Sequence, residues 1–270
     1  MDSAVAARDS RRIVELKSLL EDIETEVEGL KSTQNAYAAM KDHVQSAAEG
    51  IKSGELGSFE VDPQALDEIK VELKRVRRVF KRLGIEFKIR PGLSPHSIRF
   101  VEAVVGLRLD NHTRAMWRLA DGSGDDYWFF DGGESDPLWC TPCQFSSLSD
   151  SLLKLWSQGC ISDESEGPPS DDEEDFSQEF EQYADPEIQP GILQHKLWFP
   201  IAQSTGITVL RFDAIPAMSG NYGQLIRFVH DPDSVSLVAK DFISFFRASN
   251  QVLESALQKD AAALRELLLR

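Results

Sequence analysis

The chain has 270 residues, with 29 basic and 45 acidic side chains, a net charge of −16 and 41% hydrophobic residues. That is enough apolar chain for one large core or two small ones. The acidity argues against a primary nucleic-acid binder or an anionic-membrane binder, since both need a basic surface against phosphates.

In residues 1–90 the pattern is helical, with only four aromatics (Tyr37, Phe59, Phe80, Phe87) against twenty in the rest of the chain. Ile13, Leu16, Leu20, Ile23, Val27 and Leu30 follow a 3,4 spacing, and the phase runs on through Tyr37, Val44, Ala48 and Ile51. After the break at 53–63, Asp62 offers an N-cap with Pro63 at the first helical position, and Leu66, Ile69, Leu73, Val76, Phe80 and Leu83 repeat the spacing up to Gly84. Two such stripes predict an antiparallel helical hairpin; the alternative is a dimerising coiled coil. The first helix is acidic at Glu21, Asp22, Glu24, Glu26 and Glu28, and the second is basic at Lys70, Lys74, Arg75, Arg77, Arg78, Lys81 and Arg82.

From residue 91 the pattern is mixed. Helices are expected at 97–105 and, capped by Asp110, through 111–120. Strand-length apolar runs follow at 127–130, 137–140, 197–202, 207–213, 224–230 and 235–239, with a helix at 145–156 between the second and third. The last thirty residues read as continuously helical. Together these predict an α+β fold with a helical extension at 1–90, a main domain at 91–258 and a helical tail at 259–270.

Charge is concentrated in one place. Residues 162–187 carry twelve acidic side chains and no basic one, so removing them from −16 leaves −4 for the rest. Low hydrophobicity and Pro168-Pro169 mark this segment as a disordered insertion. Asp171, Asp172, Glu173, Glu174 and Asp175 form its densest run and are the candidate partner-binding residues. Docking of the insertion onto the basic helix at 66–83 is a further expectation.

The chemical motifs are sparse. Trp139-Cys140-Thr141-Pro142-Cys143 matches the local pattern of a thioredoxin-type site, in which a helix start lowers a thiol pKa, but the turn-rich stretch before Cys140 is unlike the buried strand such a fold needs. A zinc site would have to draw on Cys140, Cys143, Cys160 and His195, and one CxxC without a second pair is a weak signal. Phosphate-cradling glycine loops and a serine-nucleophile elbow are absent. Asp121, Asp125 and Asp126 resemble the opening of a calcium loop, yet the Gly and terminal Glu that such a loop requires are missing. The reading is a chain without cofactor or metal, and not an enzyme. The odd cysteine count is unlike a disulfide-stapled secreted domain. The opening MDSAVAARDSRR has no signal-peptide core, and no run reaches the roughly 18 apolar residues of a membrane span. A cytoplasmic protein is expected.

The order of pieces resembles the SUKH superfamily over about residues 93–258. The resemblance rests on IRFVEAVVGLRLDNHTRAMWRLADG (98–122), WFPIA (198–202), a strand ending in Asp213, GQLIRFVHD (223–231) and SLVAKDFISFF (236–246). It implies a curled, mainly antiparallel sheet flanked by helices that works by binding a protein. The superfamily includes fungal Smi/Knr-type regulators of cell-wall synthesis and bacterial immunity proteins that neutralise toxins, and both roles stay open. Trp198, Asp213, Gln224, His230 and Asp231 fall at family motif positions and are expected to shape the sheet.

Overall fold

The computed structural model describes residues 44–50, 53, 61–131, 141–157, 185–190, 194–204, 208–229 and 234–269. Helix α1 (Pro63–Leu83) starts where Asp62 accepts the Gln64 N–H, and stops where Gly84 adopts a left-handed conformation at φ 69°. Helix α2 (Pro95–Val105) is capped by Ser94, and α3 (Asn111–Leu119) by Asp110, whose carboxylate accepts from the N–H groups of His112 and Thr113. Strands β1 (Tyr127–Asp131) and β2 (Thr141–Phe145) follow, then α4 (Leu148–Ser157). After the insertion come β3 (Trp198–Gln203), β4 (Thr208–Asp213), β5 (Gln224–Val229) and β6 (Ser234–Ala239), and finally α5 (Phe242–Lys259) and α6 (Ala261–Leu268).

The six strands form one antiparallel meander in sequence order, curled into a half-barrel. Bulges in the β1/β2, β3/β4 and β5/β6 pairings bend it. The curl brings β1 within reach of β5, where Arg227 Nη1 meets Asp131 Oδ2 at 2.8 Å. The fold is α+β, as the order of elements predicts.

Side chains alternate across the sheet. Phe199, Leu210, Phe212 and Leu225 join the main core, which also takes in α1 to α5. There Phe129 meets the rings of Phe242, Phe245 and Phe246 at centroid distances of 5.1 to 5.9 Å, so α5 is clamped to the sheet by aromatic edges. Trp198, Ile226, Phe228 and Val235 point to the second face and pack with Ile188.

Several expectations change. The apolar stripe of α1 packs on α3 and α5 of the following domain, with Ile69, Val76 and Phe80 all but inaccessible. Most of the helix expected to pair with it lies outside the described residues, as does any dimerising coiled coil; its helical piece at 44–50 places Ala47 in the same core. The expected strand at 137–140 also lies outside them, and the strand that is described starts at Thr141 and holds Cys143 at its centre. Nor is the C-terminal segment one helix. Asp260 ends α5 and caps α6 by accepting from Ala262 and Ala263, so the chain turns there.

Candidate functional site

The second face of the sheet gathers three of the motif residues. Trp198 opens β3, Asp213 closes β4 and Gln224 opens β5, and antiparallel register sets Asp213 opposite both of the others. All three are fully buried. Asp213 Oδ1 accepts from Trp198 Nε1 at 3.0 Å and from the Ile215 N–H at 2.9 Å, while Oδ2 accepts from Gln224 Nε2 at 2.9 Å. The Gln224 amide also donates to the Glu187 carbonyl at 2.8 Å and accepts from the Asn221 N–H at 3.0 Å. Burial pushes the Asp213 carboxyl up from the usual carboxylate range, against the lowering effect of those three donors.

Backbone geometry is part of the same arrangement. Gly223, at φ +83°, donates its N–H to the Asp213 carbonyl, and a Cβ there would stand 2.9 Å from the Phe212 ring. The network thus joins three strands to residues 185–188 and the β4–β5 loop. With both carboxylate oxygens taken up by fixed donors, what it does chemically is hold the second face in shape.

Two cations share this face. Arg211, two residues before Asp213, is fully buried, with its guanidinium carbon 4.7 Å from the Phe228 ring centroid. Lys154, from the last turn of α4, donates to Gln203 Oε1 at 2.7 Å. Burial, and then the charge of Arg211, pull its ammonium below the usual lysine range.

Of the remaining expected site residues, Asp171, Asp172, Glu173, Glu174, Asp175, His230 and Asp231 lie outside the described residues, as do Cys140 and Cys160. Cys143 is fully buried in β2 rather than at a helix start. His195 Nδ1 accepts the Leu197 N–H at 3.0 Å as the chain enters β3. Among the described residues, no group of three or more His, Cys, Asp or Glu could hold a metal ion, and no helix is long and apolar enough to cross a membrane. On the basic helix, Lys70 pairs with Asp67, and Arg75 with Glu72 and Glu254.

Sequence reasoning passed over the Arg211–Lys154 pair. An arginine inside the strand run TVLRFD, where its neighbours are all buried, was the available signal. Lys154 gave none, because its closeness to Arg211 depends on how α4 packs against β3.

Comparison with known families now adds an independent finding. The model of the SMI1 / KNR4 family (SUKH-1) matches residues 92–248, more than half of the chain. The match takes in α2 through the first turns of α5, with the whole sheet and the Asp213 network, and leaves α1 outside. No curated protein matches the chain.

Proposed function

Because the chain belongs to the SMI1 / KNR4 family (SUKH-1), we propose that it is a non-enzymatic regulator that works by binding another protein. The observation that carries this reading is the Trp198–Asp213–Gln224 network. Three of the motif residues, Trp198, Asp213 and Gln224, are buried and bonded to one another, an arrangement that suits a shaped scaffold better than a reacting centre. Recognition then falls outside this buried network, and the run Asp171, Asp172, Glu173, Glu174 and Asp175 is the densest acidic stretch of the sequence. A partner of matching chemistry carries a basic patch, to which a single-sign acidic segment is steered at low salt.

The test is affinity capture from the source cells, with mass spectrometry, comparing the native chain with a D171N/D172N/E173Q/E174Q/D175N variant. The expected result is a partner set held by the native chain and lost by the variant, with an association rate that falls steeply as salt rises. Capture of the same partners by both would refute the role of the acidic run. A captured toxin would place the chain among immunity proteins; a signalling or cell-wall protein would place it among regulators.

A further inference from the structure

Cations crowd the second half of α1. Between Leu73 and Leu83 stand Lys74, Arg75, Arg77, Arg78, Lys81 and Arg82, with no acid among them, in a chain whose net charge is −16. Arg75 is bound to Glu72 and, through two hydrogen bonds, to both oxygens of Glu254. The other five are exposed and form no salt bridge among the described residues; Lys74 and Arg78 feel Asp67 and Glu254 only through space. Helix stability does not account for the run. Lys74–Arg78, Arg77–Lys81 and Arg78–Arg82 are like charges four residues apart, which repel, and the helix dipole favours only Lys81 and Arg82, in the last turn.

A cavity opens beside these cations. Where α1 packs on α5, a space of about 200 Å³ is lined by Arg78, Val79, Arg82, Glu254, Leu257 and Gln258. Val79 is buried and Leu257 half-buried, which makes the floor apolar, while Arg78, Arg82 and Gln258 are exposed at the rim. Glu254, the one acid of the lining, has both oxygens engaged by Arg75. Arg265 of α6 donates to the Leu83 carbonyl at 3.2 Å and adds a further cation at the end of α1. All six lining residues fall outside residues 92–248, so this surface is an addition to the family-matched segment.

The spacing suits a peptide. Lys74, Arg78 and Arg82 follow at four-residue steps, so the first and last stand about 12 Å apart along the axis. In an extended chain, two acids that flank an apolar side chain on the same face stand about 13 Å apart. Such a segment brings its carboxylates to the cations at the two ends of this row and its apolar side chain to the cavity between them. Guanidinium groups at the rim fit carboxylates two-pronged, and desolvation of the anchor adds what exposed ion pairs by themselves do not.

We infer that the cleft between the second half of α1 and α5 is a docking surface for an acidic, extended segment of a partner protein, with an apolar side chain seated on Val79 and Leu257 and its carboxylates on Lys74, Arg78 and Arg82. This surface is separate from the 171–175 run. The two carry opposite charge and select partners of opposite chemistry, so the failure of either leaves the other standing.

Fluorescence anisotropy with the labelled peptide Glu-Asp-Glu-Leu-Glu-Asp-Glu and the full native chain, at low salt, tests it. The native chain is expected to bind the peptide, and R78E/R82E to bind it at least about tenfold more weakly. R108E/K240E makes the same change of net charge at two exposed residues away from the cleft and should keep native affinity. Replacing the central Leu of the peptide by Ser is expected to weaken binding about threefold. No binding by the native chain, equal affinity for the Leu and Ser peptides, native affinity in R78E/R82E, or an equal loss in R108E/K240E overturns the proposal. So does binding that appears only in the D171N/D172N/E173Q/E174Q/D175N chain, because the cleft would then be filled in cis, and so does an oligonucleotide that binds as tightly as the peptide, because the surface would then accept any polyanion.

Discussion

Arg114 forks onto the buried carboxylate of Glu102, Nε to Oε1 at 2.7 Å and Nη2 to Oε2 at 2.9 Å. Glu102 sits near the end of α2 and Arg114 in α3, so the pair clamps the two helices across the Gly106 turn, and Oε1 also accepts the Leu109 N–H at 2.9 Å. Both side chains are nearly inaccessible. Arg114→Met leaves the Glu102 charge without its main partner and is expected to cost about 3 to 5 kcal/mol of stability. The E102L/R114M double variant removes both charges and should lose less than the single variant. Chemical denaturation of the three proteins checks this ordering, and a double variant weaker than R114M would contradict it.

Asp213 should reveal itself through pH. Its folded carboxyl is raised above the ordinary value of 3.8, with burial as the first cause. Between the two values the folded state holds a proton that the unfolded state has lost, so this contribution is greatest at the acid end of the window and disappears as pH rises through the folded pKa. Asn carries no such proton. The difference in stability between native and D213N proteins should therefore shift against the native chain as pH rises through that window. D213A is expected to cost more than D213N at every pH, because Trp198, Ile215 and Gln224 would each keep a buried donor without its acceptor, at about 1 to 3 kcal/mol per group. Equal losses would show that the network does not hold the sheet.

Helix α1 belongs to the working core although it precedes the family-matched segment. It buries Ala65, Ile69, Leu73, Val76, Val79, Phe80 and Leu83, on the order of 10 kcal/mol at about 1.5 kcal/mol for each buried side chain. Glu72 adds a polar tie, accepting from Asn250 Nδ2 in α5 at 2.8 Å. A chain that begins at residue 91 should lose cooperative unfolding and fixed near-UV circular dichroism while keeping much of its secondary structure. A sharp two-state transition in that truncated chain would show that α3 and α5 do not need α1.

Cys143 tests the thiol-exchange alternative. Its side chain is fully buried in β2, with Sγ 3.7 Å from the Thr141 carbonyl oxygen. A nucleophilic thiol needs access and a pKa-lowering neighbour, so Cys143 should resist alkylation in the native protein and react fully in denaturant. Peptide mapping after brief labelling reads this residue separately from Cys140 and Cys160. Rapid native labelling of Cys143 would revive a redox role.

Much of the architecture was legible because local chemistry and tertiary demand agree. The Asp62-Pro63 start, the Gly84 stop, the Asp110 cap and five of the strands stand where spacing and caps place them. The errors fall where a local signal was ambiguous. Residues 141–145, with a proline and a cysteine between polar neighbours, have no run of apolar alternation, and pairing with β1 and β3 makes them a strand. Asp260 was hidden inside a long helical period, and its role as a double cap shows only in the hydrogen bonds it accepts.

By itself, the sequence determined the element types, the acidic insertion and the family, because periodicity, capping and motif order are properties of neighbours along the chain. Tertiary structure alone decided three further matters: α1 is buried on α3 and α5, Trp198, Asp213 and Gln224 meet in one buried network, and Arg211 and Lys154 share a face. Each of these depends on which strand or helix lies beside which, and on the face a side chain takes in the curled sheet. Residues far apart along the chain carry no local record of that choice.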